Sequence, residues 1–181
     1  MFTTIVTVVI VAVAAVLALA ASKPGSFRVV RAAEIKAPPA KVFALIDDFH
    51  EWPKWSPWEK MDPAMTRTHS GAASGKGAAY AWVGNKKVGE GRMEITSATA
   101  PTSLTIKLDF MKPFEAHNTT EFTLEPMNGG TVVTWAMTGA SPFMFKLMGL
   151  FTSMDKMIGK DFEQGLASMK QAAEGSFSTT Q

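Results

Sequence analysis

Ala37-Pro38-Pro39-Ala40-Lys41-Val42-Phe43-Ala44-Leu45-Ile46-Asp47-Asp48-Phe49 and, two residues on, Trp52-Pro53-Lys54-Trp55-Ser56-Pro57-Trp58 are the stretches that decide how this chain folds. Pro38 and Pro39 suit the first turn of a helix, where a missing N–H costs nothing. Val42, Leu45, Ile46 and Phe49 then recur at steps of three and four, which predicts one buried helical face. The second stretch holds three of the five tryptophans, spaced three apart. Pro53 and Pro57 between them predict short helical turns rather than one continuous helix.

Downstream the pattern changes. Period-two alternation, punctuated by glycines and polar clusters, predicts antiparallel strands near 65–70, 77–83, 87–97, 103–110, 116–125 and 131–138. The Asn128-Gly129-Gly130 turn makes the last pair a hairpin. Leu104, Ile106, Leu108 and Phe110 alternate with polar residues, as do Phe122 and Leu124, then Val133, Trp135 and Met137. A sheet so patterned has one covered face and one wet face. The cover is a C-terminal helix from about 142 to 174. Its Leu147, Phe151, Met154, Ile158, Phe162, Leu166 and Met169 recur at helical steps, with a break possible near Gly149 or Ser153. A first strand is expected over 27–35, and 175–181 reads as a disordered polar tail.

Upstream, residues 1–22 carry no charged side chain, and 5–20 are almost purely aliphatic. At a rise of about 1.5 Å per residue, ~20 residues span roughly 30 Å, the thickness of a bilayer core. This segment reads as a single-pass transmembrane anchor. A cleaved signal peptide is the alternative, supported by the small-x-small Ala18-Leu19-Ala20 but opposed by the length of the run and the lack of a preceding Lys or Arg. A core helix is the third reading. Residues 23–26 form a linker, and 27–174 the folded domain. Lys23, Arg28 and Arg31 after the span lean the domain toward the cytoplasmic side, although Arg28 and Arg31 also lie within the first expected strand. The formal charge of +2 and the absence of a basic run beyond Lys86-Lys87 give no sign of nucleic-acid binding. The chain has no cysteine, which excludes disulfides, thiol catalysis and cysteine metal sites.

The order of elements is that of an α+β helix-grip fold. Residues 37–49 resemble the A-P-x-x-V-F-x-x-I-x-D segment of the START-like polyketide cyclase/dehydrase and lipid-transport superfamily, also called SRPBCC. Residues 52–58 resemble its W-P-x-W-S-P-W segment, and Thr131-Val132-Val133-Thr134-Trp135 is similar to its penultimate strand. The likeness spans about 27–174. It implies a curved sheet of about seven antiparallel strands gripping the long helix, with a pocket between them. It implies no single function, because the superfamily holds binders, transporters and enzymes.

The pocket wall follows from strand parity and helix periodicity. Trp55, Tyr80, Trp82, Ile106, Leu108, Phe110, Asn118, Thr120, Phe122, Trp135, Met148, Phe151, Met154 and Ile158 are the expected lining. Asn118 and Thr120 share the inward parity of Phe122 and Leu124. They are read either as polar groups that orient a ligand or as partners of a neighbouring strand. The tryptophan trio is read as a plug over the open end of the sheet that doubles as a gate, with a membrane-interface patch as the alternative. His50, His69 and His117 have no metal-ligand spacing, so no metal is expected. No nucleophile motif or general base stands out, and no cofactor is implied. The leading reading is a membrane-tethered binder of a hydrophobic small molecule or lipid. A cyclase- or dehydratase-like enzyme and an assembly factor acting through protein contacts are the alternatives.

Overall fold

A computed structural model describes residues 1–175, so from Ser176 onward the expected tail lies outside the described residues. Seven strands form one antiparallel sheet in the order β1-β7-β6-β5-β4-β3-β2. They are β1 (Ser26–Ile35), β2 (Thr66–Gly71), β3 (Ala78–Val83), β4 (Glu90–Thr99), β5 (Ser103–Lys112), β6 (Ala116–Met127) and β7 (Gly130–Ala140). The helices are α1 (Phe2–Ala21), α2 (Pro39–Phe43), α3 (Pro57–Met61), α4 (Phe143–Met148) and α5 (Met154–Glu174), with a 3-10 turn at Phe49–Lys54.

The alternation on β6 is strict. Asn118, Thr120, Phe122 and Leu124 face in, and His117, Thr119, Glu121 and Thr123 face out. The β6–β7 hairpin closes on Asn128-Gly129, with Met127 paired to Gly130 and Gly129 at φ +79°.

The helix after Pro38 is shorter than the periodicity predicts. It ends at Phe43, yet Val42, Leu45, Ile46 and Phe49 are all buried. The tryptophans form the plug: the indole N–H groups of Trp52 and Trp55 donate to the carbonyls of Ile46 and Leu45 at 3.2 and 2.7 Å. Trp52 and Trp55 are buried and Trp58 half-buried, so the trio is interior structure and not a membrane-interface patch.

The expected break in the C-terminal helix is real. α4 ends at Gly149, and α5 restarts behind Ser153, whose side chain accepts from the Lys156 N–H. α5 lies on the sheet through Gly159, Phe162, Gly165, Leu166, Met169 and Ala173. Phe162 stacks on Trp135 with centroids 4.0 Å apart and planes 10° from parallel. Arg31 of β1 fixes the other side, binding Asp155 at 2.7 and 3.0 Å and Glu163 at 2.7 Å. Arg28 and Arg31 both lie on β1 and are part of the folded domain, which leaves Lys23 as the charge bearing on orientation.

α1 is long and apolar enough to cross a membrane, with mean hydropathy 2.8. Only Ala20 on it is buried, at the end that packs against α4, so α1 is not a core helix. Four residues, Ser22-Lys23-Pro24-Gly25, separate it from β1.

A Cβ at Gly165 would stand 2.8 Å from Cζ3 of Trp135. Gly165→Ala gains about 1 kcal/mol of helix propensity but overpacks a tight contact at a cost of about 1–3 kcal/mol. The expected result is a lower melting temperature with a weakened near-ultraviolet signal from the Trp135–Phe162 stack. Gly25→Ala, with nothing within 4 Å of the new methyl, is the neutral control.

Candidate ligand-binding cavity

Between the inner face of the sheet, α3 and α5 lies a cavity of about 230 Å³. Its wall is mostly apolar: the aromatic Trp52, Trp58, Tyr80, Trp82, Phe110, Trp135 and Phe162 are joined by Met65, Val88, Met93, Leu108, Met137 and Ile158. Trp82 lies flat in the wall because its neighbour across the ladder is Gly91. A Cβ there would come within 2.4 Å of the indole ring. Trp58, Phe110 and Ile158 are the half-buried members of the apolar wall, so they form the rim where the cavity meets solvent.

Of the residues expected to line a pocket, Tyr80, Trp82, Leu108, Phe110, Thr120, Trp135 and Ile158 come together here. The others lie elsewhere. Trp55, Ile106 and Phe122 are fully buried in the solid core beside the cavity, and Trp55 meets Phe122 and Trp135 edge to face. Asn118 faces inward but fills the space left by the absent side chain of Gly139, its partner on β7. Met148, Phe151 and Met154 belong to a different surface because the helix breaks between them. Phe151 is 86% exposed, and Met148 and Met154 border a groove beside α1.

That groove also holds Lys23, Arg28, Phe145, Lys146 and Met157. Around it lies an exposed apolar surface that includes Met144, Phe143 and, on the β5–β6 turn, Phe114, whose ring meets Phe145 at 6.4 Å.

The sequence reading missed the polar side of the cavity. Glu59 on α3 is buried in the wall, where its carboxylate accepts from the Tyr80 hydroxyl at 2.5 Å and from Nε of Arg67 at 2.7 Å. Arg67 sits outside the wall, where its Nη1 donates to the carbonyls of Pro63 and Met65 and its guanidinium also meets the Tyr80 hydroxyl. Its hydrogen bond to Glu59 raises its pKa further above the ordinary arginine value. Burial, and then the adjacent carboxylate, push the Tyr80 phenol above its usual range. Ser56 and Thr120 add hydroxyls, and the buried indole N–H of Trp135 has no hydrogen-bond partner among the described residues. An inward carboxylate was the feature absent from the sequence reading. Its signal was Glu59 directly after Trp58, on a turn where strand parity gives no direction. Outside the wall, the His50 and His69 rings stack at 4.0 Å, and Asp48 accepts from His50 at 2.7 Å. Among the described residues no cluster of three His, Cys, Asp or Glu side chains is placed to hold a metal ion.

The family model for polyketide cyclase/dehydrase and lipid transport matches residues 26–174. No curated protein matches the chain. A protein of Chromobacterium violaceum has a similar structure, at 15% identity, covering 84% of this chain and 99% of that one with TM-score 0.59. One from Rhizobium leguminosarum is 13% identical, covering 83% and 95% with TM-score 0.61. One from Mesorhizobium loti is 18% identical, covering 80% and 95% with TM-score 0.57. At these identities the likeness is one of fold.

Tyr80 is the chain's one tyrosine, so phenolate absorbance reports this site alone. The folded state holds the phenolic proton more tightly than the unfolded chain. The stabilisation is therefore complete below the unfolded pKa near 10 and is lost as pH rises through the folded value. In an alkaline titration the phenolate should emerge well above pH 10, and Glu59→Gln should bring it back toward the free value. Emergence near pH 10 in the unaltered protein would contradict this.

Proposed function

The chain belongs to the polyketide cyclase/dehydrase and lipid transport family, and on that premise we propose that it is a membrane-tethered binder of a hydrophobic small molecule. Family and fold support a domain that binds hydrophobic ligands. The observation that carries the reading is the aromatic cavity of about 230 Å³. An apolar cavity of ~150 Å³ already takes up benzene, so this one has room for a ligand of about two rings.

Support for the tether comes from α1 and the surface beside it. Exposed Phe143, Met144 and Phe151 neighbour the end of an apolar helix and the basic side chains of Lys23, Arg28 and Lys146. Apolar side chains ringed by cations suit the headgroup boundary of an anionic bilayer. Phe110 and Ile158 at the cavity rim lie four residues from Phe114 and Met154 of that surface.

One observation favours a second reading, catalysis of the cyclase or dehydratase kind: the Glu59 carboxylate and Tyr80 hydroxyl stand in the cavity wall. A ligand recovered chemically changed after incubation with the protein would support it.

Native mass spectrometry of the full chain, released from its own membranes, should show one hydrophobic ligand per chain. Leu108→Trp, which fills the cavity, should release it. A chain that is empty and takes up nothing would count against binding. Since the chain has no cysteine, a nitroxide at Phe151→Cys reads the membrane contact in phosphatidylcholine/phosphatidylglycerol vesicles. It should be reached by oxygen more readily than by an aqueous nickel chelate, and a label at Thr123→Cys on the outer sheet face should show the reverse. An aqueous signal at both sites would remove α4 from the membrane surface.

A further inference from the structure

The charge on the cavity wall limits what kind of hydrophobe it takes. Glu59 is its one carboxylate, and among the described residues no Lys, Arg or His joins the lining. Arg67 binds the carboxylate from outside through Nε, donates from Nη1 to two backbone carbonyls and meets the Tyr80 hydroxyl. A ligand anion placed here would be desolvated with no free cation to meet it, because Arg67 is already engaged by Glu59. A buried, unpaired charge of that kind is strongly unfavourable. A ligand cation meets a carboxylate that Arg67 already neutralises, so it too would bring an uncompensated charge.

The hydrogen-bonding groups specify the rest. The Tyr80 hydroxyl donates to Oε1 of Glu59 and its oxygen also meets Arg67, which leaves one lone pair to accept from a ligand. The Trp135 N–H has no partner among the described residues, but its nitrogen exposes no surface to the cavity and takes no part in binding there.

Building on the binding function proposed above, we infer that the cavity selects an uncharged, ring-sized hydrophobe whose hydroxyl or N–H donates to Tyr80 and Glu59. It discriminates against fatty-acid-like carboxylates and other anions.

The test uses the full chain, stripped of bound lipid, in nanodiscs, with empty nanodiscs as the reference in equilibrium dialysis. The probes share one ring system: 2-naphthol, naphthalene, 2-naphthoate and 2-naphthylmethylamine. 2-Naphthol should bind about tenfold more tightly than 2-naphthoate, and more tightly than the amine. Tyr80→Phe should weaken 2-naphthol about fivefold while leaving naphthalene unchanged. Glu59→Gln removes the charge and leaves Arg67 without an anion, so 2-naphthoate should gain about fivefold or more. Unchanged naphthalene binding in each variant shows that the cavity still folds. If 2-naphthoate or the amine binds as well as 2-naphthol, the inference is overturned and the binding function stands. If no probe binds at all, naphthalene included, both are overturned.

Discussion

The contact between Phe162 and Trp135 sets the distance between the long helix and the sheet. Rings 4.0 Å apart require close approach of α5, and Gly165 permits it by placing no side chain over the indole. Gly159 plays the matching part farther up the helix, where a Cβ would collide with the Arg31 guanidinium. Arg31 then ties the start of α5 to the edge strand through Asp155 and Glu163. Such half-exposed ion pairs contribute little energy each. Their effect is on placement: they hold the helix while the aromatic stack determines its height. The cavity is the volume left where α5 leaves that stack and the sheet curves away toward Trp82.

Much of this was legible in the sequence because the relevant signals are periodic. Alternation on β6 gave the correct face for every residue from His117 to Leu124. The spacing of Val42, Leu45, Ile46 and Phe49 identified buried positions even though the helix stops at Phe43 and the chain continues in turns. Burial pattern survives a change in local conformation when the same side chains reach the same core. Parity gives a face and not a position along it, however. Ile106 and Phe122 share a face with Leu108 and Thr120 and yet lie in solid core, because the tryptophan plug packs against their end of the sheet.

The polar half of the site was illegible for a different reason. Glu59, Arg67 and Tyr80 come from a short helix and two strands, and only the tertiary fold joins them. A charged residue in a Trp-Pro segment looks solvated when read alone. Its burial depends on Tyr80 and Arg67, which compensate its charge and lone pairs. Met148 and Phe151 show the converse. Their helical spacing was real, but the break before Ser153 put them on another body of the molecule.

The linker of four residues between α1 and β1 has a geometric consequence. Fully extended, Ser22 to Gly25 reach about 14 Å, less than the width of the domain they hold. For a chain whose α1 sits in a bilayer, the domain cannot diffuse away from the lipid surface. Ligand uptake then depends on the ligand's mole fraction in the membrane and on its lateral supply, rather than on its concentration in water. A weakly soluble compound that never reaches appreciable aqueous levels would still saturate such a site.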